Sequence, residues 1–172
     1  MAGASRSAVI DFEFLRGRQN ETVVKLLCVA SARAGETFRL KSPYKMADHG
    51  SSENGINLAD GHIEYKDLQT VVTEAVAGFA HLYAFGVSKL IFLSSLTGLT
   101  IHNLADVDCP APDSFNHKHW CKMPCHKFPK FACAPKTAHS LYDWLIHYLQ
   151  TKDYVQCPSY KTRHTASFIS VI

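Results

Sequence analysis

The chain has 172 residues, 47% of them hydrophobic and 19% charged, with a formal net charge of +3. That length suits one domain with a core of its own and no need of disulfides. So small a charge does not by itself argue for nucleic-acid binding, and no apolar run is long enough to span a membrane. The stretch from Met1 to Ser7 lacks the apolar core of a secretory signal, so the expected setting is intracellular.

The first element is Val9-Ile10-Asp11-Phe12-Glu13-Phe14, which reads as a buried strand carrying two acids. Strand side chains alternate, so Asp11 and Glu13 point one way and Phe12 and Phe14 the other. Two carboxylates within an apolar element are costly unless a divalent metal, a Lys or Arg, or water at a sheet edge meets them. A polar link, Arg16 to Asn20, reads as a turn into the β-branched run Thr22 to Ala30, which then pairs antiparallel with the first strand. After Ala34-Gly35 comes a third strand, Thr37 to Leu40.

Pro43 to Gly61 is rich in Ser, Gly, Asn and Asp and reads as a long loop, either a flap beside the acidic strand or a plain connection. Asp67 is positioned to cap a helix running to about Ala80, with Leu68, Val71, Val72, Ala75 and Phe79 on one face. His81 to Phe85 predicts a strand, Val87 to Leu96 a helix closed by Gly98, and Thr100 to Leu104 a fifth strand. Pro135 opens a last helix whose apolar stripe is Ala138, Leu141, Leu145, Tyr148 and Leu149. The order β-β-β-α-β-α-β-α predicts an α/β layer fold with a mixed sheet. The domain spans residues 9–150, between a flexible N-terminus at 1–8 and a C-terminal tail at 151–172.

Between the fifth strand and the last helix lie His117, His119, Cys121, Cys125, His126 and Cys133. Thiolates and imidazoles so close together in an intracellular chain favour zinc over disulfides, and a long loop with little apolar content needs such a tie to be ordered. From Asp113 to Asp143 there is no intervening acid, while Lys118, Lys122, Lys127, Lys130 and Lys136 form a basic block. The block either follows a phosphate backbone or offsets metal-bound thiolates.

With these elements in place, the chain resembles the RNase H-like 3′–5′ exonucleases of the DEDD superfamily. The likeness is greatest to their zinc-containing branch, which includes the exoribonuclease domain of arenavirus nucleoproteins; the Maelstrom domain is a more distant likeness. It covers Val9 to Leu149 and rests on the element order, Asp11-Phe12-Glu13, and a Cys/His loop running into Cys133-Ala134. It implies an RNase H-like mixed sheet flanked by helices, with a zinc-binding loop before the last helix. Active members hold two divalent metals on four acids and use a His as base.

Asp11 and Glu13 match the first motif of that family. Lys89 stands where its second acid belongs, and Ala132 and Thr137 stand where its His and last Asp belong. His139 and Asp143, one turn on, are the remaining candidates for those roles. The zinc set implied by the resemblance is Cys121, Cys133, one of Cys125 or His126, and Glu21; a register that puts Leu26 at the Glu position moves the fourth ligand to His117 or His119.

Two functions follow as expectations. In the first, Lys89 neutralises the acids of a degenerate nuclease domain, structural Zn²⁺ holds the loop, and the domain binds RNA or DNA through the lysine block, or binds a protein. In the second, the domain is an exonuclease using Mg²⁺ or Mn²⁺ with Asp11, Glu13, His139 and Asp143. Neither involves a membrane, and the sequence is silent on oligomeric state.

Overall fold

The computed structural model describes residues 6–17, 21–33, 35–44, 61–115 and 133–156, the last four of these as backbone. Five strands and three α-helices alternate much as the sequence predicts. The strands are β1 (Ser7–Arg16), β2 (Thr22–Ser31), β3 (Glu36–Arg39), β4 (His81–Ala84) and β5 (Ile101–Asn103). The helices are α1 (Leu68–Val76), α2 (Val87–Thr97) and α3 (Ala134–Gln156).

The strands form one mixed sheet in the order β3-β2-β1-β4-β5. β2 runs antiparallel to β1 and to β3, while β4 is parallel to β1 and β5 parallel to β4. Strand β1 is therefore central, and the wet edge strand that an acidic face could have implied is not what forms. Its alternation divides the core. Ala8, Ile10 and Phe12 pack with Val72, Val76 and Leu93 on the side of α1 and α2. Val9, with Leu26 and Cys28 of β2, packs against Ala138, Leu141 and Leu145 of α3 on the other. Helices on both faces explain why β1 and β2 read as near-continuous apolar runs.

The hairpin register slips once. Glu13 pairs with Leu26 but Phe14 pairs with Val24, which leaves Lys25 as the extra residue of a β-bulge. Lys25 is buried, and its ammonium donates to the carbonyl of Leu40, whose own N–H donates to the Lys25 carbonyl at 2.9 Å. A bulge bends its strand and increases local twist, here beside Glu13.

Several boundaries differ from the expectation. Helix α1 stops at Val76, short of Ala80, and is entered through a 3₁₀ turn at Tyr65–Asp67. Asp67 holds the cap position without a side-chain cap bond. Helix α3 starts one residue before Pro135 and continues to Gln156, past the residue 150 at which the apolar stripe had suggested the domain ends. Gly98 ends α2 as expected, in the left-handed region at φ 72°, with its N–H on the Ser94 carbonyl. Most of the Pro43–Gly61 loop and all of the 1–5 segment lie outside the described residues. Among the described residues, no helix is long and apolar enough to cross a membrane.

Leu141 is fully buried beneath α3, whereas Ile91 is 66% exposed on α2. Leu141→Ala should cost about 2–5 kcal/mol of unfolding free energy, and Ile91→Ala should stay within about 0.5 kcal/mol of wild type. Urea denaturation of both variants checks the pair.

Candidate functional site

The site forms where β1 runs past the end of β4. Parallel pairing of β4 with β1 reaches Val9↔Tyr83, so Asp11 lies two residues beyond that register. At that point β4 gives way to α2 through Gly86, whose φ of 97° suits glycine and turns the chain away from the sheet. The Asn103 side-chain oxygen accepts from the N–H of Gly86 at 3.1 Å and of Ala105 at 3.2 Å, which ties the start of α2 to the end of β5. The first turn of α2 is thereby held over the C-terminal half of β1.

Lys89 is the third residue of that turn. A cation at the positive end of a helix dipole is unfavourable unless an anion meets it. The anion is Asp11: the Lys89 ammonium donates to Asp11 Oδ1 in a close ion pair. It also lies 5.4 Å from the centroid of the Phe12 ring, which itself packs on Phe92 at 5.0 Å. The Asp11 side chain is 4% exposed and that of Lys89 26%. Burial pushes the Asp11 carboxyl above its ordinary value, the Lys89 ammonium opposes that shift, and the charge of Glu13 adds to it.

Glu13 does something different. Its Oε1 accepts the N–H of Ala134 at 2.8 Å, so the carboxylate satisfies one of the unpaired donors at the start of α3. An anion is favoured at that end of a helix. Cys133, immediately before α3, is buried, and its carbonyl accepts from Thr137 at 2.9 Å. Thr137 is itself buried. Asp11, Glu13, Lys89 and the first turn of α3 thus belong to one site, with Cys28 paired across from Asp11 on β2.

The other sequence candidates lie elsewhere. The His139 ring lies against Gly35, in the turn after Ser31, and Ser31 pairs with Ala8 while Glu13 pairs with Leu26. Gly35 directly precedes Glu36, the β3 partner of Val29, so the levels of His139 and Glu13 differ by about four residues, roughly 13 Å along β2. Asp143 is exposed and sits about 13 Å along α3 from Ala134, at 1.5 Å per residue. The Glu21 carboxylate accepts the Tyr44 hydroxyl and lies close to Gly17 in the β1–β2 hairpin. Lys136 is half-buried on the first turn of α3. His117, Lys118, His119, Cys121, Lys122, Cys125, His126, Lys127, Lys130 and Ala132 lie outside the described residues.

Among the described residues, the two acids of β1 are engaged by protein groups and do not form a two-metal centre. The Asp11 carboxylate is already met by the Lys89 ammonium, whose charge opposes a cation at the same place. Glu13 already caps α3. Among the described residues, no group of three or more His, Cys, Asp or Glu side chains could hold a metal. For zinc, Cys133 and Glu21 are the candidate ligands within the described residues. Cys109, which the sequence reading left without a role, is buried near Pro110 with its thiol pushed up to about 12 by burial.

Sequence reading missed two features. Lys25 could have been noticed as the one charge in an apolar strand. The bond from Ala134 to Glu13 had no signal, because its donor is a backbone N–H that any residue supplies. A cleft of about 1100 Å³ between β3 and α1, lined by Val29, Phe38, Val71 and Phe79 with Arg6 and Arg33, lies on the opposite face of the sheet from Asp11 and Glu13.

Lys89→Met leaves a buried carboxylate without its partner and should destabilise the fold by about 2 kcal/mol, below the 3–5 kcal/mol of a fully buried pair because Lys89 is partly exposed. Adding Asp11→Asn should recover most of that loss, as read by a double-mutant cycle in urea. Asp11 also sets a pH dependence. Its folded pKa is raised from 3.8, so the folded state binds the proton more tightly and stability contributed by this group falls as pH rises from that value through the raised one. Asp11→Asn should remove this downward slope relative to wild type, measured as unfolding free energy against pH.

No protein-family model, curated protein or solved structure matches this chain.

Proposed function

We propose that this chain is an RNase H-like exonuclease-type domain that has lost efficient catalysis and binds nucleic acid, RNA in the first instance, inside the cell. The observation that carries this reading is the Lys89–Asp11 ion pair on the central strand. In the resembled family a metal-binding acid belongs at the Lys89 position. An ammonium there supplies the positive charge that Asp11 needs and repels a second cation. Metal-assisted phosphoryl transfer depends on both ions, so the cost in rate is several orders of magnitude.

The sheet supports the family reading through its element order: an antiparallel β1-β2-β3 unit, then parallel strands joined through helices, with the acids on the middle strand. Structural Zn²⁺, held by Cys121, Cys133, Glu21 and one of Cys125 or His126, belongs to the same proposal. So does the phosphate-binding role of Lys118, Lys122, Lys127, Lys130 and Lys136. A second reading, docking of a protein, is favoured by the outer face of α2, where Val87 and Ile91 are exposed one helical turn apart.

Two assays test the proposal. Single-stranded RNA should bind weakly, and a tenfold rise in salt should weaken binding by roughly two to three orders of magnitude if about four lysines meet phosphates. No binding at low salt would move the protein-docking reading to first place. A labelled oligonucleotide incubated with Mg²⁺ or Mn²⁺ should be degraded no faster by wild type than by Asp11→Ala. Cleavage by wild type that Asp11→Ala abolishes would instead establish an active exonuclease.

A further inference from the structure

The carboxylate site continues into a strip of rings on the same face of the sheet. Tyr83 of β4 packs into the core beneath α3, and His81, two residues earlier, points to that face too. His102 of β5 is the register partner of Tyr83, which puts it on the same face. The His102 ring centroid lies 5.3 Å from that of Tyr83 and 6.3 Å from that of His81. Both histidines are exposed, and among the described residues α3 packs chiefly over β1 and β2 rather than over β4 and β5.

Helix α3 borders the strip with a second row of rings. Trp144 and Tyr148 stack with centroids 5.1 Å apart and planes 16° apart, and the Lys152 ammonium lies 5.3 Å from the Tyr148 centroid. These three residues are spaced four apart and so form one ridge of the helix. The ridge lies on the same side as the strip, since Trp144 and Tyr83 pack against the same core cluster beneath α3. Neither β4 nor β5 carries an acid.

We propose that the His81–Tyr83–His102 strip, bordered by Trp144, Tyr148 and Lys152, is a stacking platform for single-stranded nucleic acid. Three observations support this occupant. The exposed His81 and His102 rings on adjacent strands, with half-buried Tyr83 between them, lie at the spacing of sheet residues, which suits unpaired bases of any sequence. Lys152 supplies a cation for the phosphate chain at the border, and the strands oppose it with no anion of their own. The strip is also continuous with the site on β1. Tyr83 pairs with Val9, and Asp11 follows two residues on, about 7 Å along the strand. A strand lying across the rings would therefore run toward Asp11. This inference rests on the nucleic-acid reading above, but uses rings where that reading uses the lysine block.

The test is fluorescence anisotropy of the full chain with a short labelled oligouridylate and the matching oligothymidylate. The double variant His81→Ala/His102→Ala should bind about tenfold or more weakly than wild type, the scale of lost base stacking. Its salt slope should stay unchanged, because no phosphate contact is removed. His102→Phe should bind within about twofold of wild type, since the ring is kept. Lys136→Ala should instead reduce the salt slope by about 0.7. Preferential loss on the ribose probe would mark RNA as the ligand, and equal loss on both would mark single strands of either kind. If wild type binds neither probe, this inference and the nucleic-acid reading both fall. If wild type binds and the double histidine variant binds equally well, with unfolding midpoints matched, the platform alone is overturned.

Discussion

A lysine ammonium pressed against an aspartate carboxylate on the middle strand of the sheet is the contact on which the rest of this molecule depends. Strand β1 is buried on both faces, so a charge at Asp11 has little water to meet it. Lys89 supplies the opposite charge from the first turn of α2, a place where a lysine is otherwise disfavoured. Each group thus relieves the other. Gly86 and Asn103 make the meeting possible by holding that turn over the end of β4. The proposed function rests on this pair, since in that reading the amine stands in for a divalent cation beside Asp11.

Glu13 shows the same economy of charge by another route. In an active nuclease of the resembled kind its carboxylate would bind metal, whereas here it accepts the first N–H of α3. The bulge at Lys25 lies directly opposite on β2 and twists the hairpin where Glu13 meets the helix. The acids of β1 therefore fasten the two sides of the sheet: Asp11 binds α2 and Glu13 binds α3. Two carboxylates on the central strand thus act as a joint between layers.

Much of this was legible in the residues. Alternation in Val9 to Phe14 placed Phe12 and Phe14 on one face, where they pack with α1 and α2, and the Gly and Asn of the first link indicated the antiparallel hairpin. Lys89 could be singled out only because the resemblance assigned an acid to its position; nothing in the local pattern of α2 marks it. The Lys25 bulge was not legible, because one additional residue in an apolar run leaves composition and period almost unchanged. Helix α3 was read too short because its apolar stripe fades after Leu149, while the backbone continues as helix to Gln156. His139 and Asp143 looked suitable by residue type and spacing, but their distances from Asp11 depend on where α3 crosses the sheet, which no local pattern encodes.

The most direct measurement of the central claim is a Mn²⁺ titration of the isotope-labelled full chain, followed by NMR at the backbone amides of Asp11, Phe12, Glu13 and Lys89. A bound Mn²⁺ ion broadens nearby resonances beyond detection. If Lys89 takes the place of the metal, these four signals persist at millimolar Mn²⁺ in wild type. Their selective loss in wild type, and its absence in Asp11→Asn, would show that Asp11 binds metal and would contradict the account.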